Sequence, residues 1–367
     1  MSAGGPRPRA CLEGLRPYQP GKPAETVRRE HGLARVVKLA SNENPYGCSP
    51  GARRAAAAAL RQAHIYPDGS SPDLRRALAG ALRCPPEAVM LGAGSNELLL
   101  LLGQGYAGPG DEVLTAEMSF TVYETVARLA DARLVTVPLR DHAYPLESMA
   151  RAITAKTRIV FVANPNNPTG TAVHPEALRR FLDRVPARCL VVLDEAYHEY
   201  MESRYRTPSL RWVRERCNLV VLRTFSKAYG LAGLRIGYGV APPAVAAVVE
   251  KVRAPFNLTR PAQAAAEAAL ADPDYMHQAV ARVTAERKRL DQGLRGLGFA
   301  TTPSQANFIF CRVPVADAAV WFERLQRFGY IVRPCGARHL RITVGTPSQN
   351  GGLLRALRRV GRSFSQD

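Results

Sequence analysis

The chain has 367 residues, is 46% hydrophobic and 22% charged, and carries a formal net charge of +19. Such a length favours a large unit plus a smaller one, and no run of about 18 apolar residues suggests a membrane-spanning helix. The positive charge is scattered as arginines along Ala/Leu-rich stretches such as "RRAAAAALRQ" and "LLRALRRVGR", so solvated helix faces are expected and nucleic acid is not an expected partner.

Residues 1–44 are rich in proline and glycine and are expected to form an irregular arm and the start of the small domain, without the apolar segment of a secretory signal. Seven cysteines lie singly, with no C-x-x-C pair. That fits a reducing, cytoplasmic setting and offers no metal-ligand pattern. From residue 45 to about 252, short apolar runs alternate with amphipathic ones. "AVMLGAG" predicts a strand ending in glycines, and "SNELLLLLGQGY" predicts the helix after it. "DEVLTAE" and "RLVTVPL" predict strands flanking a helix over 121–130; "RIVFVANP", "CLVVLDEAY", "NLVVLRTF" and "RIGYGVAP" predict four more. A helix is expected over 244–252. This alternation is that of a largely parallel sheet covered on both faces, an α/β domain. After "RAPFNLTRPAQ" the pattern changes to a long helix over 262–297, broken at Pro273, then "ANFIFCRV", a helix over 315–328, "YIVRP" and "LRITVG". Residues 253–367 are therefore expected to form a smaller α+β domain.

Ligands of open α/β sheets gather at the carboxyl ends of strands, so the residues after each strand carry the chemistry. Ser95 and Asn96 open a helix after Gly94, where first-turn amides can hold an anion; a dinucleotide fingerprint fails there at Glu97. "NPNNPTG" forms a proline-stiffened loop able to fix the Asn167 amide, or simply a turn. Asp194 and Tyr197 follow "CLVVL"; a carboxylate at the end of a buried strand needs a cationic partner, unless it caps the next segment. After "NLVVL" come Thr224, Ser226, Lys227 and Arg235, hydroxyls and a guanidinium suited to phosphate. The chain holds six lysines against forty-four arginines, and an amine, unlike a guanidinium, can lose its proton and attack a carbonyl. Pyridoxal phosphate would use all four segments, since it needs a lysine, an acid opposite its ring nitrogen and a phosphate cup.

The segments "KLASNENPYG", "GAGSNELL", "NPNNPTG", "VVLDEAY", "VLRTFSKAYGLAGLRIGY", "PSQANFIF" and "LRITVGTPSQN" resemble the fold-type-I pyridoxal-phosphate aminotransferases, most closely the histidinol-phosphate aminotransferase branch. The resemblance runs from about residue 15 to the C-terminus. It implies a mostly parallel seven-stranded sheet sandwiched by helices. It implies Lys227 as the residue that carries the cofactor and then moves the substrate proton, and Asp194 as partner of the pyridine nitrogen. Tyr197 and Asn167 would face the ring oxygen, with Phe120 stacked on the ring. The phosphate would rest on Ser95, Asn96, Thr224, Ser226 and Arg235, with Tyr66 reaching the neighbouring subunit of a homodimer. Arg341 would hold an α-carboxylate, and Arg333, Tyr18 and Asn44 would face the substrate. The implied reaction passes an amino group from L-histidinol phosphate to 2-oxoglutarate, with phenylalanine or tyrosine as the alternative donor. The chain departs from the family pattern at Cys48, Ala93 and Met118 and in a short segment between Arg333 and Arg341.

Overall fold

A computed structural model describes residues 5–15, 17 and 21–364. Its strands, in chain order, are β1 (Val37–Lys38), β2 (Val89–Gly92), β3 (Glu112–Ala116), β4 (Arg133–Val137), β5 (Thr157–Ala163), β6 (Leu190–Asp194), β7 (Leu219–Thr224), β8 (Gly237–Val240), β9 (Ala300–Thr301), β10 (Phe308–Arg312), β11 (Tyr330–Ile331), β12 (Arg333–Cys335) and β13 (His339–Thr343).

Seven of these form one sheet in the order β2-β8-β7-β6-β5-β3-β4. The pairs β7/β6, β6/β5, β5/β3 and β3/β4 are parallel, whereas β8 is antiparallel to both β7 and β2. The expected α/β architecture is therefore present, with one reversed strand. β6 and β7 are buried along their whole length and read as continuous Leu/Val runs, as strands covered on both faces do. β4, at the edge, is less buried, with Arg133 and Thr136 exposed and Leu134 and Val135 half-buried. Fully burying each of these Leu and Val side chains contributes roughly 1.5–3 kcal/mol.

The topology fixes where a site can form. β5, β6 and β7 point the same way, and two reversals return β2 to that direction. The segments after Gly92, Ala163, Asp194 and Thr224 therefore emerge along one edge of the sheet, and the segment entering β8 arrives there.

The order β12-β13-β10-β9 makes a second, wholly antiparallel sheet. Helices Pro273–Arg295, Ala318–Gln326 and Pro347–Ser363 pack on it through Leu290, Leu294, Trp321, Leu353 and Leu357. Asp272 caps the first of these helices and Pro273 occupies its first turn, which is why the helical pattern breaks there. The preceding helix, Arg260–Leu270, instead lays its alanines against helices Pro50–Ala59 and Pro72–Leu82.

Two expectations are corrected. The arm is not wholly irregular: it contains a helix, Ala24–Glu30, and its strand β1 pairs in parallel with β11. "YIVRP" is not one strand. It divides at Val332 into β11 and β12, which belong to different sheets. Pro334, which has no N–H to give, sits on the edge strand β12. Among the described residues no helix is long and apolar enough to cross a membrane.

Candidate active site

A cavity of about 230 Å³ opens at the shared strand edge. Ser95, Asn96, Phe120, Asn167, Asp194, Tyr197, Thr224, Ser226, Lys227, Arg235 and Arg341 line it together with Ser41 and Asn42. Eleven of the residues singled out in the sequence thus meet in one place.

One end of the cavity is built to receive an anion. Helix Ser95–Tyr106 begins there, presenting first-turn amides. Arg235 extends across it, donating to Ser226 Oγ at 3.3 Å and to Ala93 O at 3.3 Å. Two glycines make this geometry possible. Gly94 has φ +83°, and a Cβ there would meet Arg235 Nη2 at 2.4 Å; a Cβ on Gly237 would meet the Ser95 amide nitrogen at 2.3 Å. Glu97 turns its carboxylate back to accept the Ala93 N–H at 2.6 Å, which braces the turn.

At the other end stand an acid and an amine. Asp194 is 5% exposed. Burial pushes its carboxyl up to about 6, opposed by the Tyr123 hydroxyl and by the Ala196 N–H. Tyr123 donates to Asp194 Oδ2 at 3.0 Å, and the Ala196 N–H donates to Oδ1 at 3.2 Å. Lys227 Nζ donates to Ser41 O at 3.1 Å. Burial, then the guanidinium of Arg341, brings its amine down to about 8, against the pull of Glu43. Its ammonium form is therefore much easier to deprotonate than an ordinary lysine's.

The segment after β1 runs through the site. Ala40 O accepts from Arg341 Nη2 at 2.5 Å. The Asn42 side chain, held by Thr343 Oγ1 at 3.0 Å, donates to the Tyr197 hydroxyl at 2.9 Å. Asn42 is 1% exposed and takes φ +56°, a conformation asparagine tolerates better than most residues.

Arg333 lies outside this cavity. It lines an adjoining chamber of about 270 Å³ with Phe120, Asn167, Cys335 and Arg341. β12 and β13 place Arg333 directly opposite Arg341, so two guanidiniums serve neighbouring spaces. Asn44 lines neither space. Its amide donates to Ala228 O at 2.9 Å and its oxygen accepts the Tyr46 N–H at 3.0 Å, which pins the segment beside Lys227. Tyr66 also lies apart, 76% exposed and stacked on Phe256 at 4.7 Å. Tyr18 falls outside the described residues.

Sequence reasoning passed over Asn42 and Tyr123. Asn42 shares the "SNENPYG" segment with Asn44, and nothing local says which of the two turns inward. Tyr123 lies in the first turn of the helix that follows Phe120 and reads as an ordinary core aromatic.

Directly behind the site, Glu195 is wholly buried and receives Arg223 Nε and Nη2 at 3.0 and 2.8 Å, plus the Thr207 hydroxyl at 2.7 Å. Burial alone would raise its carboxyl, but the Arg223 charge more than offsets this and holds it below its ordinary range. The pair ties the end of β6 to the end of β7, the two strands that deliver Asp194 and Lys227.

A large, mostly parallel sheet with a lysine, a buried acid and an anion cup at one edge, faced by an arginine from a small antiparallel unit, defines an amino-group transferase. The chain belongs to the aminotransferase class I and II family, whose model matches residues 34–357. It is 45% identical over 357 residues to histidinol-phosphate aminotransferase 1 of Cupriavidus pinatubonensis, covering 95% of each chain. It is 46% identical over 351 residues to the histidinol-phosphate aminotransferase of Anaeromyxobacter sp., covering 94% of this chain and 96% of that one. Among solved structures it resembles histidinol-phosphate aminotransferase from Sinorhizobium meliloti in complex with pyridoxal 5′-phosphate, with a TM-score of 0.89, 29% identity and 99% of each chain covered.

Proposed function

We propose that this aminotransferase uses pyridoxal phosphate to pass the amino group of L-histidinol phosphate to 2-oxoglutarate, giving imidazole acetol phosphate and glutamate in histidine biosynthesis. The observation that carries the cofactor assignment is the single cavity in which Lys227, Asp194 and the Gly94–Arg235 cup converge. Support for the donor comes from the relatives above; the two arginines at neighbouring chambers suit the two carboxylates of 2-oxoglutarate, and one of them can instead take the donor's phosphate.

The residues present fit the cofactor. A Cβ at Gly94 or Gly237 would fill space the cup needs. The anion donors would hold the phosphate, and the half-buried Phe120 would cover one face of the ring. Asp194 would face the ring nitrogen, with Asn167 and Tyr197 toward the ring oxygen. When bound, the cofactor supplies an aldehyde carbon for the amino group and a pyridine ring that accepts the electron pair of the broken Cα–H bond.

The protein's part is positioning and proton transfer. Lys227 Nζ takes the proton from the donor's α-carbon, which an amine with a pKa of about 8 can release and regain near neutrality. Asp194 stays ionised beside the ring because two hydrogen bonds oppose the effect of burial. Arg341 offers a planar fork to an α-carboxylate, and the Ala40 main-chain carbonyl and the Asn167 side-chain oxygen hold it in place. Arg333 would face the distal anion.

The exposed Tyr66–Phe256 pair, with Ile65 also exposed beside it, supports a homodimer in which Tyr66 completes the partner subunit's phosphate cup. The proposed setting is the cytoplasm, which the scattered unpaired cysteines suit. The proposed division keeps a large unit around the seven-stranded sheet and a small one around β9, β10, β12 and β13. The test is a donor panel. Mixed with the cofactor-loaded protein, L-histidinol phosphate should bleach the cofactor's absorption at lower concentration than phenylalanine, tyrosine or aspartate. A stronger response to phenylalanine would reject this donor.

A further inference from the structure

Tyr123 lies on helix Val122–Leu129 and is 1% exposed. Its ring stacks on Phe161 at 4.5 Å and 4°, and meets Phe120 edge-on at 5.8 Å and 89°. Phenylalanine would fill this space equally well. What tyrosine adds is one hydroxyl, and burying a hydroxyl costs free energy unless it is bonded. Here it has one partner of consequence, Asp194 Oδ2 at 3.0 Å. The register explains the reach. Phe161 on β5 pairs with Val192 on β6, two residues before Asp194, so all three share one face of the sheet.

We propose that Tyr123 is a positioning residue for the reaction: by donating to Asp194 Oδ2 it fixes the carboxylate's orientation and keeps it ionised for the ring nitrogen. This rests on the role given to Asp194 under the proposed function. The two protein donors take one oxygen each, Ala196 N–H on Oδ1 and Tyr123 on Oδ2, which leaves the outer lone pairs facing the cavity. Among the charged neighbours, Glu195 favours the neutral acid and Lys227 favours the carboxylate. The hydroxyls of Tyr144 and Tyr197 complete the surroundings. Burial, reinforced by the Asp194 charge, pushes the Tyr123 phenol well above its ordinary range, so it remains a donor at every working pH.

The experiment titrates cofactor-free protein with pyridoxal phosphate between about pH 5.5 and 8.5, for wild type, Tyr123→Phe and Tyr123→Leu. Tyr123→Phe keeps the stack on Phe161 and should still bind about tenfold more weakly, the size expected for a hydrogen bond to a charged group. Its loss of affinity on the acid side should begin at higher pH. A cofactor analogue with carbon in place of the ring nitrogen should bind wild type and Tyr123→Phe alike. Site-specific 3-fluorotyrosine at position 123, a stronger donor of nearly the same shape, should move the acid-side loss to lower pH. The inference is overturned if Tyr123→Phe binds like wild type and only Tyr123→Leu is impaired, or if the analogue shows the same deficit as pyridoxal phosphate. If wild type takes up no pyridoxal phosphate at all, it is the functional assignment that fails.

Discussion

Arg341 Nη1 donates to Asn167 Oδ1 at 2.6 Å, joining the small antiparallel sheet to the loop that follows β5 of the large one. Ala40 O takes the other terminal nitrogen at 2.5 Å, and Arg341 Nε is buried without a partner among the described residues. The guanidinium is thus aimed and in part unsatisfied, as a fork for a carboxylate should be. Arg341→Lys keeps the charge but loses the planar fork. It should raise KM for 2-oxoglutarate about tenfold or more, as expected for hydrogen bonds between charged groups, and leave cofactor affinity nearly unchanged. Steady-state kinetics with a parallel cofactor titration decide; an unchanged KM would remove Arg341 from the substrate site.

Asp194 should trade stability for function. Burial raises its carboxyl to about 6, so the folded cofactor-free protein binds more protons than the unfolded chain between about pH 4 and 6. Its contribution to stability is present in acid and is lost as pH rises through 6. Asp194→Asn lacks this dependence. The cofactor-free variant should melt at least as high as wild type at pH 8, with a smaller advantage at pH 5. Its kcat should fall on the order of a hundredfold or more, since a preorganised charge is lost. A cofactor-free variant that melts lower than wild type at pH 8 would show that Asp194 is a structural residue.

Behind the site, Arg223 and Glu195 form a buried pair linking the ends of β6 and β7. Arg223→Met leaves a buried carboxylate without its partner and should cost about 3–5 kcal/mol. Adding Glu195→Leu should restore more than half of that loss, because the stranded charge goes with it. Denaturant unfolding of the two single variants and the double variant measures the coupling, and additive losses would mean the pair acts as two independent residues.

Most of this site was legible because its residues follow strands that the sequence announces as apolar runs. Lys227, Asp194, Asn167 and Ser95 each stand just past such a run, and the sheet order brings the runs' ends together. β8 was not legible as a reversed strand, since "RIGYGVAP" has the same apolar character in either direction. Asn42 and Asn44 could not be told apart because their roles depend on Thr343 and Ala228, far away in the chain. Tyr123 reads as a core aromatic, and it is one; only the register of β5 against β6 reveals the acid above it. Tyr66 is exposed on its own chain, and the role proposed for it needs a partner subunit.

Gly94 is a conformational requirement. With φ +83° and the Arg235 guanidinium in the space of its Cβ, Gly94→Ala should destabilise the protein by more than about 1 kcal/mol. It should also weaken cofactor phosphate binding, whereas pyridoxal without phosphate should bind the variant and wild type similarly. Thermal melts and paired titrations check both effects. An equal loss for the two cofactors would place Gly94 outside the anion cup.

The central claim is that the Lys227 amine is the atom that carries the cofactor, and borohydride reduction followed by peptide mass mapping tests it most directly. The account predicts a yellow protein that bleaches on reduction and bears one pyridoxyl group, on Lys227 and on none of the other five lysines, with no label in Lys227→Arg. A label on another lysine, or wild-type labelling in Lys227→Arg, would contradict it.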